Sequence, residues 1–473
     1  MSTIGIPDNP LRVAIIGSGP SGFYAAEHLL KQKDLTVQVD MFERLPTPFG
    51  LVRGGVAPDH QKIKSVTKVY ERIAEKPNFR FFGHVEFGKD ITRADIESLY
   101  HAVIYAVGAQ SDRKLNIPGE DLPGSHPATE FVAWYNAHPD YRDLKFDLTQ
   151  ENVAVIGVGN VAMDVARILA RSVEELRETD IADYALDALA QSRVTNIYIL
   201  GRRGPAQAKF TNAEIKEFGE MADADVIVAP EEVELDPLSQ AYLESDKADK
   251  TAIRNVEILR EYAQRQPAGK RRKVIFRFLV SPVEIIGDER VEAIKVVHNE
   301  LYQDDRGNLR PRATDRYETI PVGLVFRSVG YRGVPLPDVP FREDWGTIPN
   351  DKGRVLTAAD GEVLRGHYVA GWIKRGPSGV IGTNKPDSVE TVEQLLADRE
   401  ADALLQPANT SADAVIELLK SRGVRYVTFD DWKRLDELEL KRGEAAGRPR
   451  LKFSSVEEML AALDSETMPQ AGD

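Results

Sequence analysis

Gly17-Ser18-Gly19-Pro20-Ser21-Gly22 and Gly157-Val158-Gly159-Asn160-Val161-Ala162 stand 140 residues apart, each behind an apolar strand (Val13 to Ile16, Val153 to Ile156) and each opening a helical pattern. In such a strand-turn-helix unit the first glycine permits the tight turn and the second lets the backbone approach a pyrophosphate. The third allows close packing of helix on strand, and alanine is an accepted variant there, as at Ala162. Phosphates then rest on free N–H groups at a helix N-terminus, where the helix dipole favours negative charge. A chain with both units is predicted to be α/β, with two Rossmann-like dinucleotide-binding domains, and to pass electrons between two bound dinucleotides.

The two units differ where a ribose would sit. Behind Gly22, residues 23–30 read as a helix and Val37 to Phe42 as the next strand, which ends in Glu43. A carboxylate at that place accepts hydrogen bonds from ribose hydroxyls and repels a 2'-phosphate, so the first unit suits FAD or NAD. Behind Ala162 an acidic stretch, Glu174 to Asp187, delays the strand Asn196 to Leu200, which ends in Gly201-Arg202-Arg203. Paired guanidiniums offer a fork of donors to phosphate oxygens and point to the 2'-phosphate of NADP.

The chain has 473 residues, too many for one core, and no cysteine. Disulfide reduction and an intrinsic iron-sulfur cluster both need thiolates, so the electron acceptor must come from outside. No metal is expected. A net charge of −14 argues against general nucleic-acid binding. No apolar run reaches membrane-spanning length, and residues 1–11 lack the regions of a signal peptide, which points to a cytoplasmic protein or a processed form. Basic clusters at 270–273, Arg310 with Arg312, Lys374-Arg375 and Arg448-Pro449-Arg450 read singly as solvated turns, and together permit a basic face.

Three parts are expected along the chain: an FAD-binding part over 1–110, an NADP-binding part over 111–330, and a second FAD-binding part with a C-terminal extension over 331–473. Ala102 to Gly108 reads as a strand ending in a small-residue turn, and Leu324 to Tyr331 repeats that signature, suggesting a return to the first domain. Strands at 274–280, 283–286 and 293–298 suggest an antiparallel excursion. His367 to Trp372 reads as a strand of the FAD domain, followed by a glycine-rich turn and a helix over 387–399. Beyond it we expect a helix over 412–421, a strand over 425–429 and a helix over 456–463.

Taken together, Pro48 to His60, Gly201 to Pro205, Phe210 to Glu214 and Gly371 to Asn384 resemble the adrenodoxin reductase family of ferredoxin-NADP reductases, bacterial members included. The resemblance spans residues 13 to about 460. It implies FAD contacts from Gly17, Gly19, Gly22, Glu43, Leu51, Val85, Trp372 and the backbone of Gly379, Val380 and Ile381. It implies NADP contacts from Arg113, Asn160, Val161, Ala162, Met163, Arg202, Arg203, Glu214 and Gly379. His60 and Glu214 would lie near flavin and nicotinamide, either tuning proton flow or docking, or serving as hydrogen-bonded structural residues.

The implied activity is NADPH:ferredoxin oxidoreduction: a hydride passes to FAD, then single electrons to a small, acidic iron-sulfur protein, and whether a cytochrome P450 is served downstream stays open. Docking on the basic clusters would weaken as ionic strength rises. Two rival readings are an FAD/NADPH monooxygenase, for which no FxGxxxHxxxW signature is found, and a non-enzymatic NADPH-responsive scaffold.

Overall fold

The computed structural model describes residues 4–467. Among these, one seven-stranded sheet has the order 350–351, 354–356, 363–369, 102–105, 11–16, 37–43, 79–83. Its last five strands are parallel and the first two antiparallel. Parallel strands are covered on both faces and so read as unbroken apolar runs. Leu11–Ile16 accordingly is buried at every position.

A six-stranded sheet, all parallel, has the order 125–127, 324–327, 152–156, 196–200, 272–277, 224–228. Every one of its strands falls between those that build the first sheet. The chain leaves and re-enters through a ribbon in which Ser111-Asp112 pairs antiparallel with Tyr331-Arg332. That crossing explains the repeated strand-then-glycine signature, because Gly108 and Gly330 both take positive φ where the strands end.

The antiparallel excursion is a three-stranded sheet of Val280–Ile286, Ala293–Gln303 and Leu309–Pro321. The expected strand over 274–280 is corrected: it divides at Leu279, which has φ +54°. Its first half, Arg272–Arg277, joins the parallel sheet and only the second half turns antiparallel. An apolar core fills the space between this small sheet and one face of the six-stranded sheet, with Ile156, Leu200, Ile285, Ile294 and Val325 buried in it.

Two further expectations change at the C-terminus and beside it. The strand over 425–429 reduces to one bridge, where Gly83 and Val427 exchange backbone hydrogen bonds of 2.8 Å. A capping box between Thr428 and Asp431 then starts a helix, Phe429–Ala445, that strand-like apolar residues had hidden. The strand ending at Trp372 instead closes at Val369, and Trp372 opens the short helix Trp372–Arg375.

The basic face is narrower than the clusters suggest, because Arg272, Lys374 and Arg448 are buried while Arg271, Lys273, Arg310 and Arg312 are exposed. Arg272 pairs with Asp223 at 2.5 Å, Lys374 with Glu390 at 2.7 Å, and Arg450 with Asp436 at 2.5 Å. Arg448 is buried and bonds Asp183 and the Thr179 carbonyl. Arg310 and Arg312 stay exposed but hold Asp304 and Glu300.

Candidate functional site

The fingerprints fold into matching turns. Gly17 donates to the Phe42 carbonyl at 2.8 Å, and Gly157 to the Leu200 carbonyl at 2.9 Å. Both glycines need positive φ, +105° and +133°, and a Cβ on either would strike the carbonyl after a neighbouring strand, Ala106 or Ser328. One residue past Phe42 stands Glu43, and two past Leu200 stands Arg202. Equivalent edges of the two sheets therefore present opposite charges.

Gly19 and Gly159 cap the helices Pro20–Leu29 and Asn160–Ala170, and neither has a heavy atom within 4 Å of where a Cβ would be. Open space at a helix N-terminus is what a pyrophosphate requires, so both turns fit a dinucleotide. A Cβ on Gly22 would run into the Gly17 carbonyl, whereas the matching place in the second turn carries the buried methyl of Ala162. Met163 is buried as well, which leaves backbone N–H groups at this helix start as the donors.

Around the first turn, Glu43 accepts from the Ser18 hydroxyl at 2.6 Å, the Ser18 N–H at 3.2 Å and the Leu45 N–H at 3.1 Å. Val85 is buried and donates its N–H to the Glu43 carbonyl at 2.9 Å. Gly50 brings the next segment against Gly19, so the exposed Leu51 starts a short helix at the edge of the same groove. Gly371 lies so close to Ser21 that any side chain would collide with it, and its N–H bonds Asp387 at 2.6 Å. Trp372 therefore stands beside the first turn, its ring 5.3 Å from Tyr331 and its indole N–H on the Ser378 carbonyl at 3.2 Å. Gly379 and Val380 are exposed on the loop that follows, with Ile381 half-buried at its end.

Around the second turn, Asn160 accepts from the Thr211 N–H at 2.9 Å, tying the fingerprint to the segment that carries Glu214. Val161 is half-buried. Arg202 is exposed and Arg203 half-buried. Burial, together with the cations Arg202 and Arg310, pushes the Arg203 pKa down. Arg113 is exposed just after the ribbon strand Ser111-Asp112, its N–H on the Gly330 carbonyl at 2.9 Å.

His60 and Glu214 meet in a buried cluster between the lobes. His60 Nδ1 lies 3.8 Å from Glu214, but its tighter partner is Glu217, 3.0 Å from Nε2. The fully buried Arg167 binds Asp59 at 2.7 Å, Asp164 at 2.6 Å, Glu214 at 2.6 Å and Glu217 at 3.2 Å. Four carboxylates thus face Arg167, with Arg171 on Asp59 at 2.9 Å and His60 as further cations. Burial and the Asp164 charge push Glu214 up to about 7, against the pull of Arg167. Burial would lower the His60 pKa, yet the Glu217 hydrogen bond lifts it above the usual 6.5. Both shifts run upward and so favour the protonated form of each group.

Sequence reasoning missed Asp59, Asp164, Arg167 and Glu217. A signal was present: Asp164 with Arg167, and Glu214 with Glu217, each lie three apart and so share a helix face. What the spacing does not reveal is that two helices and the Asp59-His60 segment converge.

A family model described as pyridine nucleotide-disulphide oxidoreductase matches residues 11–200. The NADPH-ferredoxin reductase FprA of Mycobacterium leprae is 48% identical over 459 residues, covering 96% of this chain and 98% of that protein. The mitochondrial NADPH:adrenodoxin oxidoreductase of Salvelinus fontinalis is 40% identical over 467 residues, covering 96% and 91%. The structure of Mycobacterium tuberculosis FprA in complex with NADPH aligns with a TM-score of 0.90 at 47% identity, over 96% of this chain and 100% of that one.

Proposed function

The chain belongs to the family of the NADPH-ferredoxin reductases, and from that membership we propose that it oxidises NADPH through FAD and delivers the electrons singly to a ferredoxin-type iron-sulfur protein. FAD, when bound, supplies the exchange between two-electron and one-electron chemistry. The protein's part is to bind, align and hold charge.

In this reading residues 1–110 with 331–473 bind FAD, and 111–330 bind NADP. The N-terminus of the helix behind Gly17, Gly19 and Gly22 receives the FAD pyrophosphate, and Glu43 accepts the ribose hydroxyls in place of its bonds to Ser18. Leu51, Val85, Trp372 and the backbone of Gly379 to Ile381 line the flavin end. The N–H groups of Asn160 to Ala162 receive the NADP pyrophosphate, with Met163 packed behind them, Arg202 and Arg203 receive the 2'-phosphate, Arg113 is a further NADP contact, and Gly379 lies toward the nicotinamide. His60 and Glu214, joined by Glu217, hold a proton beside the reacting rings.

The observation that carries the proposal is the pair of equivalent edges, Phe42-Glu43 and Leu200-Gly201-Arg202-Arg203, each fixed to its own fingerprint glycine. One edge excludes a 2'-phosphate and the other attracts it. The test is a yellow flavin spectrum in the purified protein, NADPH-driven ferricyanide reduction, and cytochrome c reduction that depends on added ferredoxin. Substrate oxygenation would favour the monooxygenase reading instead, and binding without turnover the scaffold. The proposal extends to a cytoplasmic setting, tested by cell fractionation, and to a cytochrome P450 as one consumer, tested by reconstitution.

A further inference from the structure

The Arg202-Arg203 edge is a turn, and turns are held by where their carbonyls and N–H groups go. Gly201 donates to the Arg277 carbonyl at 2.8 Å and accepts from Val280 at 3.0 Å, while the Arg203 carbonyl accepts from Leu279 at 3.1 Å. The Arg202 carbonyl accepts from a side chain, Asn299 Nδ2, at 2.8 Å. That amide belongs to the small antiparallel sheet and not to either nucleotide-binding sheet.

Resting on the NADPH reading above, we propose that Asn299 is a positioning residue for recognition of the 2'-phosphate: it fixes the Arg202 carbonyl so that both guanidiniums are aimed before the dinucleotide arrives.

Three observations support this. Asn299 is buried, and its Nδ2 also bonds the Ser281 hydroxyl at 2.7 Å, so the side chain is held from both sides. The strand pairing is irregular at this place: Val297 faces Tyr317, whereas Asn299 faces Ala313, and Thr314 turns its hydroxyl onto the His298 carbonyl at 2.7 Å. A bulge of this kind re-aims a side chain and is found beside functional sites. Finally, Arg203 sits among like charges, Arg202 and Arg310. Such a turn splays unless its backbone is pinned, and a pinned turn loses less freedom on binding, which is the source of affinity by preorganisation.

The experiment is calorimetric titration of the flavin-loaded protein with NADP+ and with NAD+, on Asn299→Ala, Asn299→Asp, Ser281→Ala and Arg202→Ala, together with kcat and KM for NADPH and NADH using ferricyanide. Asn299→Asp keeps the shape and loses the donor. Both Asn299 variants are expected to weaken NADP+ binding about tenfold, the loss of roughly one hydrogen bond, with NAD+ binding and kcat held within about twofold. Ser281→Ala removes one of the two bonds on the amide but leaves the Arg202 contact, so its loss of NADP+ affinity should be smaller than that of either Asn299 variant. Equal losses for NADP+ and NAD+, no change in their ratio, or failure of both Asn299 variants to fold with flavin would each overturn the inference. If Arg202→Ala keeps the NADP+ preference, the 2'-phosphate reading itself fails. If Arg202→Ala loses the preference while the Asn299 variants keep it, only the role of Asn299 falls.

Discussion

His60 Nε2 lies 3.0 Å from the Glu217 carboxylate, across 157 residues of sequence and across the boundary between the two lobes. Burial opposes both charges, yet each stabilises the other: the His60 pKa is raised above 6.5 and the Glu217 pKa lowered below 4.5. For the histidine, the stabilisation is complete below 6.5 and disappears as pH climbs through the raised value. For the carboxylate it is complete above 4.5 and disappears as pH falls through the lowered one. Glu217→Gln is therefore expected to cost about 1.5–3 kcal/mol between these limits, the scale of a hydrogen bond to a charged group, and progressively less at alkaline pH. Thermal midpoints from pH 5 to 9 measure it, and a deficit that grows with pH would refute the pairing.

Glu214 runs the other way. Its carboxyl is pushed up to about 7, so ionising it between the usual 4.5 and that value opposes the fold, and the cost persists above it. Glu214→Gln should match the parent at pH 4.5 and exceed it by about 1 kcal/mol or more at pH 8. A loss of stability at pH 8 would show that the bond to Arg167, 2.6 Å away, outweighs burial.

Replacing both Arg202 and Arg203 with alanine removes the charged donors at the second edge. Hydrogen bonds to charged groups contribute about 1.5–3 kcal/mol each, so the KM for NADPH should rise by about a hundredfold or more. The KM for NADH should move little. Parallel rises for the two reductants would reject 2'-phosphate recognition.

Two glycines of the first turn separate folding from binding. Gly22→Ala forces a methyl into the Gly17 carbonyl and should lower flavin content and thermal stability together. Gly19→Ala meets nothing within 4 Å and should leave the flavin-free protein as stable as the parent, yet strip its affinity for FAD. Absorbance near 450 nm per mole of protein, with and without added FAD, is the readout. Full flavin occupancy in Gly19→Ala would contradict pyrophosphate contact there.

Much of the fold was legible because the constraint on these glycines is local: a backbone that must turn out of a strand under a pyrophosphate leaves no alternative to Gly17 or Gly157. The edge residues were legible by position, Glu43 as the last residue of its strand and Arg202-Arg203 two and three residues beyond Leu200. The buried cluster was only half legible. His60 and Glu214 stood out by resemblance, but Asp59, Asp164, Arg167 and Glu217 acquire their meaning from how the lobes meet. Arg425 to Phe429 misled because apolar alternation does not say whether a segment finds a partner strand; it makes a single bridge to Gly83. The basic clusters were legible only in part, because Arg272 and Arg448 are buried against Asp223 and Asp183, 49 and 265 residues away, and Lys374 and Arg450 pair with acids on neighbouring helices.

The ribbon of Ser111-Asp112 with Tyr331-Arg332 also fixes an order of events on the ribosome. All six strands of the second sheet have been synthesised before Val363–Val369 emerges to take its place beside Ala102–Tyr105. The lobe begun later is the first able to close, and the lobe begun earlier waits with an unsatisfied strand edge for most of translation. Chaperone dependence in this protein should accordingly concentrate on its first hundred or so residues, since an open edge of this kind recruits other chains.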